Sequence, residues 1–280
     1  MRNPAEGAMR LRFWGVRGGL PMPGPSTLRY GGNTPCLELR CGPHLLLLDA
    51  GTGAHALGSA LKASGQPVQA DVLLSHTHMD HVAGLPFFAP LYAAGNALRF
   101  WAGHLAGANN VEAALDASWS PPLMPPLRPS FGATLRFTDF RAGALLEPQP
   151  GLKVATAALN HPGGCTGYRV EWQGRALAYC TDTEHEPGTL DPAVLALARQ
   201  ADVLVYDASY TEAEFAERRG WGHSTWQQGV ALAEAAGVKQ LVLFHHDTCR
   251  DDAGVAALEA AAAASRPGTI AAREGLELKL

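Results

Sequence analysis

Three imidazoles and one carboxylate fall within six residues of this chain, in the run His76-Thr77-His78-Met79-Asp80-His81. Imidazole nitrogens and carboxylate oxygens are ligands for zinc, manganese or iron. In an extended or turn conformation His76 and His78 point the same way, because the side-chain period is two. Asp80 and His81 then begin the next element and can face a second ion. One short segment can therefore supply ligands to both members of a metal pair. The run directly follows Asp71-Val72-Leu73-Leu74-Ser75, which reads as a buried strand. Donors crowded beside a buried strand carry a desolvation cost that nothing offsets unless they bind something.

Four donors do not complete two coordination spheres. Further candidates close other apolar runs: His161 ends LKVATAALNH, Asp182 ends ALAYCTD and His245 ends LVLFH. Their shared position at strand ends makes them a convergent set. His246 is adjacent, but on a strand it would point the opposite way, so His245 is preferred.

The elements that must position these donors follow from the hydrophobic pattern. Strand-like runs lie at 11–16, 36–39, 45–48, 71–75, 98–101, 152–158, 167–172, 175–181, 203–206 and 239–244, with a β-like tail at 276–280. Helical stretches lie at 54–63, 83–94, 190–199, 225–236 and 252–264, and Ser224 reads as the N-cap of the fourth. A Gly/Pro-rich loop covers 17–33. The proline-rich stretch 118–129 can be neither regular helix nor central strand and reads as a long surface loop. Strands alternating with helices indicate an α/β layered fold. Two halves, each β-rich and then α-rich, suggest two sheets packed face to face with helices outside. No linker divides the chain, so residues 1–280 are expected to form one domain.

Hydrophobic residues make up 47% of the 280 and charged residues 17%, enough to bury a large core and too little charge for disorder. The net charge of −4 gives no basic bias of the kind that marks a general nucleic-acid binder. Five widely spaced cysteines, Cys36, Cys41, Cys165, Cys180 and Cys249, include no C-x-x-C pair and read as reduced thiols of a cytoplasmic protein. The N-terminal stretch has no apolar run suited to a signal peptide, and no apolar stretch of about 20 residues suggests a membrane span.

The series HTHMDH, NHPGG, TDT and LFHHD resembles the metallo-β-lactamase superfamily, in the same order and with matching spacing over roughly residues 11–280. That resemblance implies an αββα sandwich of two mixed β-sheets flanked by helices, with metals at one edge. It also implies two divalent ions, zinc or manganese ahead of iron. His76, His78 and His161 would hold one ion, Asp80, His81 and His245 the other, and Asp182 would bridge them.

A bridging aspartate fits the phosphodiesterase, nuclease and thioester-hydrolase branches. Asp207-Ala208-Ser209-Tyr210-Thr211 at a strand end, with Gly222-His223-Ser224-Thr225 opening a helix, resembles the catalytic pair of ribonuclease Z and of cyclic phosphate diesterases. The acid is often glutamate in ribonuclease Z; here it is Asp207. A histidine at a helix N-terminus can meet an anionic phosphate beside free N–H groups, and a carboxylate on its other nitrogen fixes the tautomer. His223, Ser224 and Thr225 are thus expected to meet substrate, and Asp80, His223 and Asp207 to serve catalysis. The tRNA-processing enzyme carries a protruding arm between the equivalents of His161 and Asp182. Here the two positions are 21 residues apart, and two strands and a turn fill the gap. The expected partner is therefore a small diester, a cyclic nucleotide or cyclic phosphate, attacked by a hydroxide shared between the metals. Neither a large nucleic acid nor a membrane is expected, and a homodimer is open because related hydrolases often dimerise. Two rival readings are a carbonyl-substrate hydrolase, acting on a thioester, lactone or β-lactam, and a non-catalytic metal-binding sensor.

The opening FWGVRGG…YGGNTPC also resembles a bacterial subgroup of these hydrolases. Asn33 and Thr34 are expected to shape a turn near the metals, and Asp49 to support a ligand from behind. Arg17 reads as a surface salt-bridging residue with substrate contact as the alternative. His44, His55, His104 and His185 read as structural or exposed.

Overall fold

The computed structural model describes residues 9–105 and 110–280. Residues 1–8 of the N-terminal stretch read for a leader lie outside them. Among the described residues no helix is long and apolar enough to cross a membrane.

The first sheet comes mainly from the N-terminal half: β1 (Met9–Gly15), β2 (Cys36–Cys41), β3 (His44–Leu48), β4 (Gln69–Leu74), β5 (Ala97–Ala102) and β6 (Thr134–Asp139). The second contains β7 (Leu145–Gln149), β8 (Leu152–Leu159), β9 (Cys165–Trp172), β10 (Arg175–Cys180), β11 (Val203–Asp207), β12 (Gln240–Phe244) and β13 (Ile270–Ala271). The tail strand β14 (Glu277–Lys279) returns to pair antiparallel with β1 and closes the first sheet. Each sheet has seven strands, ordered β14-β1-β2-β3-β4-β5-β6 and β13-β12-β11-β10-β9-β8-β7. Both are mixed, with antiparallel hairpins on one side and parallel strands on the other.

Alternation along the strands sorts side chains into three apolar layers. Leu46, Leu48 and Leu73 of the first sheet meet Leu177, Tyr179, Val205, Val242 and Phe244 of the second in the central layer. Leu45, Leu47, Val72 and Leu74 face outward onto α1 (Gly53–Ala63) and α3 (Val111–Ser118). Ala178, Cys180, Leu204, Tyr206, Leu241 and Leu243 face outward onto α4 (Pro192–Ala198), α6 (Trp226–Ala235) and α7 (Asp252–Ser265). The result is the expected αββα sandwich. All five cysteines are free thiols, and only Cys249 is exposed.

Several elements differ from the sequence reading. The helix expected over 83–94 does not form. Helix α2 covers only Met79–Val82, and two 3-10 turns follow at Leu85–Phe87 and Ala89–Tyr92. Pro86 and Pro90 lack the N–H that a continuing helix needs. Gly84 also packs too closely for a side chain, since a Cβ there would lie 1.9 Å from the Gly51 carbonyl oxygen. The N-cap of α6 is Thr225, one residue later than expected; its Oγ1 accepts from Gln228 N–H at 3.1 Å. Short or half-exposed elements went unforeseen, namely α3, β6, β7, β13 and α5 (Glu212–Glu217).

Candidate metal centre

The donors gather at the carboxyl ends of five strands, where open α/β sheets tend to bind ligands. Strand β4 ends before His76 and His78, and α2 carries Asp80 and His81. Strands β8, β10, β11 and β12 deliver His161, Asp182, Asp207 and His245.

Ligand atoms of His76, His78 and His161 lie within 4.8 Å of one another, as do those of Asp80, His81 and His245. Asp182 sits between the two sets. Its Oδ1 is 4.0 Å from both His76 Nε2 and His161 Nε2 and 3.2 Å from His245 Nε2, and its Oδ2 is 3.3 Å from His81 Nε2. His246 is not part of the cluster; its Nε2 donates to the Ala272 carbonyl at 2.8 Å.

Three buried ring nitrogens, Nε2 of His76, His81 and His245, have no hydrogen-bond partner among the described residues. Their Nδ1 atoms, by contrast, are all engaged: His76 with Ser75 Oγ at 3.1 Å, His81 with Asp49 Oδ2 at 2.8 Å, and His245 with Ser209 Oγ at 3.1 Å. His161 Nδ1 likewise donates to the Gly222 carbonyl at 2.9 Å. An acceptor on Nδ1 fixes the proton there and leaves Nε2 as a lone pair, the arrangement that backs metal-binding histidines. Burial, and after it the positive field of His81, holds His76 well below the ordinary imidazole range. Burial disfavours charge on Asp182, but His245 and His81 outweigh it and hold that carboxyl well below its usual range. Ionised carboxylates and imidazole nitrogens without partners, converging on one place, fit divalent metal ions.

Asp49 works from behind, as expected. Its carboxylate accepts from Ser75 N–H, Ser75 Oγ, His81 Nδ1 and Tyr179 OH at 2.7 to 2.8 Å. Gly19 N–H donates to Asp80 Oδ2 at 2.8 Å, so the N-terminal glycine loop also touches the centre. Asn33 and Thr34 bond to Thr52 and shape the turn beside it.

His223 stands next to the cluster. Its Nδ1 lies 2.8 Å from Asp207 Oδ2, and its ring stacks on His245 with centroids 4.7 Å apart. Asp207 Oδ1 is pinned by Ser209 N–H, Ser209 Oγ and Ser224 N–H, which leaves Oδ2 for the imidazole. Asp207 counters the effect of burial on His223 and pushes it up to about 9.

Ser224 and Thr225 do not face this space. Both are fully buried. Ser224 Oγ bonds His185 Nδ1 at 2.7 Å and Tyr206 OH at 2.9 Å, and Thr225 Oγ1 donates to Glu212 at 3.0 Å. Ser224 Oγ ties the start of α6 to β11 and Thr225 Oγ1 ties it to Glu212 beyond, while Ser224 N–H goes to Asp207 and Gln228 N–H to Thr225 Oγ1. Arg17 is neither a surface residue nor a substrate contact; it is wholly buried and donates to the carbonyls of Gly31 and Arg250. Ser75, Ser209 and Tyr179 are supporting residues that sequence reasoning missed. Only Ser209, within the DASYT run, carried any signal.

The Beta-lactamase superfamily domain matches residues 44–246. A ribonuclease Z of Gemmatimonas aurantiaca is 34% identical over 108 residues, which cover 39% of this chain and 32% of that protein. The matched stretch thus spans about a third of that relative's length. A ribonuclease BN of Cronobacter sakazakii is 27% identical, with 85% of this chain and 88% of that protein covered. A metallo-beta-lactamase fold protein of Bacillus subtilis superposes with a TM-score of 0.74 at 17% identity, covering 98% of this chain and 100% of that one. The chain belongs to the beta-lactamase superfamily.

Proposed function

We propose that this protein is a phosphodiesterase acting on a small diester, such as a cyclic nucleotide or cyclic phosphate, with two divalent ions of zinc or manganese. His76, His78 and His161 would hold one ion, Asp80, His81 and His245 the other, and Asp182 both. Bound there, the metals supply Lewis acidity toward a phosphoryl oxygen and lower the pKa of bound water.

The single observation that carries the phosphodiester reading is the His223–Asp207 pair beside the cluster. Asp207 keeps a proton on Nδ1 and supports a positive ring. Nε2 has no partner among the described residues. It is free to donate a proton to a phosphate oxygen or a departing alkoxide, which a pentacoordinate transition state carrying two negative charges needs. Asp80, fixed by Gly19 N–H, is assigned the orienting of the nucleophile or its proton. Ribonucleases, whose name two of the relatives carry, cleave phosphodiesters. Between His161 and Asp182 the chain is used by β9, β10 and the two-residue turn Gln173-Gly174, which supports a small substrate over a large RNA. The net charge of −4 points the same way.

The test is hydrolysis of bis(p-nitrophenyl) phosphate, then of a cyclic-nucleotide panel, by zinc- or manganese-loaded protein. His78→Ala abolishes turnover and lowers metal content. His223→Ala retains the metals and lowers turnover by about 10²–10⁴-fold. Turnover of thioesters or lactones but of no diester, at full metal occupancy, would move the assignment to carbonyl chemistry.

A further inference from the structure

We propose that Trp221 is the stacking platform of a subsite for an aromatic ring, a nucleobase, carried on one ester arm of the substrate. The inference rests on the phosphodiester reading and names what that reading leaves open.

Trp221 is 65% exposed. A single exposed apolar residue signifies nothing by itself. The way this one is held is the argument. Gly220 and Gly222, on either side, have φ of 87° and 84°, a left-handed backbone natural to glycine. Both donate their N–H to one carboxylate, Glu184, at 2.8 to 2.9 Å. The indole therefore projects into solvent from a clamped peptide, where loss of motion on ligand binding is small.

The clamp is tied to the chemistry. The Gly222 carbonyl accepts from His161 Nδ1, and the next residue is His223. A Cβ at Gly222 would lie 2.3 Å from His161 Nδ1, so the loop cannot shift without disturbing that imidazole. Trp221 is thus positioned relative to both the metal cluster and the proposed acid.

There is also space beside it. A cavity of about 170 Å³ is lined by Trp221, His223, His245 and Tyr210 on one side of the chain fold and by Gly18 and Gly19 from the N-terminal loop. Gly18 contributes bare backbone of necessity, because a Cβ there would meet the His245 ring at 2.2 Å. The volume is below that of pockets that enclose whole drug-sized ligands, and suits one ring system. A flat indole next to a phosphate-binding centre favours a planar ring, since every base has a π-face to stack.

The experiment compares binding of adenosine 5′-monophosphate, cytidine 5′-monophosphate and ribose 5-phosphate to metal-loaded protein, by calorimetry and tryptophan fluorescence. Stacking of about 1–3 kcal/mol per base predicts that the nucleotides bind roughly 5- to 150-fold tighter than the sugar phosphate. Trp221→Ala brings that ratio close to one, and Trp221→Phe restores most of it. An unchanged ratio in Trp221→Ala overturns the subsite, even if diesters are hydrolysed. A Trp221-dependent ratio in protein that hydrolyses no diester keeps the subsite and removes the reading beneath it. Sedimentation of both proteins closes the remaining route: a dimer lost in Trp221→Ala with base preference intact would assign the indole to a contact between copies and refute the proposal.

Discussion

The sharpest prediction concerns Asp49, which touches no metal or substrate position. Its two oxygens take four donors: Ser75 N–H at 2.7 Å, Ser75 Oγ at 2.7 Å, Tyr179 OH at 2.7 Å and His81 Nδ1 at 2.8 Å. Asp49→Asn keeps the shape and tolerates the φ of 59°, since asparagine is enriched in left-handed backbone. It replaces one acceptor oxygen by an NH2 donor. The Ser75 and Tyr179 hydroxyls can rotate to accept from it. His81 can adapt only by becoming the acceptor, which moves its proton from Nδ1 to Nε2, the atom that faces the cluster. A protonated Nε2 cannot ligate a metal. Metal affinity should therefore fall by about 10–100-fold, the usual consequence of removing a histidine's outer partner. Bonds to a charged group are worth about 1.5–3 kcal/mol, and with partial adaptation the net loss of stability should be about 3 kcal/mol. For a chain of this size that lowers Tm by about 6–12 °C. Thermal unfolding in chelator measures the second quantity without the metal's contribution, and competition with a chromophoric chelator measures the first. A variant that melts early yet binds metal as tightly as the parent would refute the tautomer argument.

Other predictions test separate joints of the same reading. His245→Ala should lose metal, whereas His246→Ala should keep it and lose only about 1–3 kcal/mol of stability from the orphaned Ala272 carbonyl and lost packing; equal metal loss in both would mean that the cluster is misassigned. Gly18→Ala should fold but lose metal or turnover, because its Cβ would lie 2.2 Å from the His245 ring; full activity would show that the N-terminal loop yields freely. Asp202 is held below its ordinary value: burial raises it, but Lys239, the Ala176 N–H and Arg175 outweigh that. Its contribution is therefore present above the unfolded carboxylate pKa near 3.9 and disappears as pH falls through the lower folded value. Asp202→Asn should cost up to about 1 kcal/mol at pH 7, given the exposed partners, and less near pH 3. An equal cost at both pH values would place the effect in packing rather than charge.

The donors were legible because four of them crowd into HTHMDH after a buried strand and the other three each end an apolar run, patterns that burial makes costly without a ligand. The supporting residues were not. Ser75 and Tyr179 sit inside runs where serine and tyrosine are ordinary strand residues, and only the meeting of β4, β10 and Asp49 gives them a role. Arg17 was misread because charged side chains are almost never wholly buried, and its acceptors lie far along the chain, as with the Arg250 carbonyl. Ser224 and Thr225 are adjacent and both can cap a helix, serine the better of the two, so local pattern pointed one residue too early. Strands β6 and β7 are half-exposed edge-side elements whose alternation is too weak to stand out.

The strand ends themselves show how the sandwich aims its donors. On β3, β10 and β12 the residues facing the central layer are Leu46 and Leu48, Leu177 and Tyr179, and Val242 and Phe244. Strict alternation would send Asp49, Asp182 and His245 outward, to the helix layers. All three instead have positive φ, at 59°, 51° and 61°. A left-handed residue breaks the pleat and turns the side chain back toward the strand-end edge. Asp207, on β11, needs no such turn: it falls in register with inward-facing Val203 and Val205 and keeps an ordinary backbone. Left-handed backbone costs a residue with a Cβ about 1–3 kcal/mol, which glycine would avoid. Glycine carries no ligand. The strain therefore sits at the positions where a carboxylate or imidazole must face the cluster, and the surrounding sheets are what hold it there.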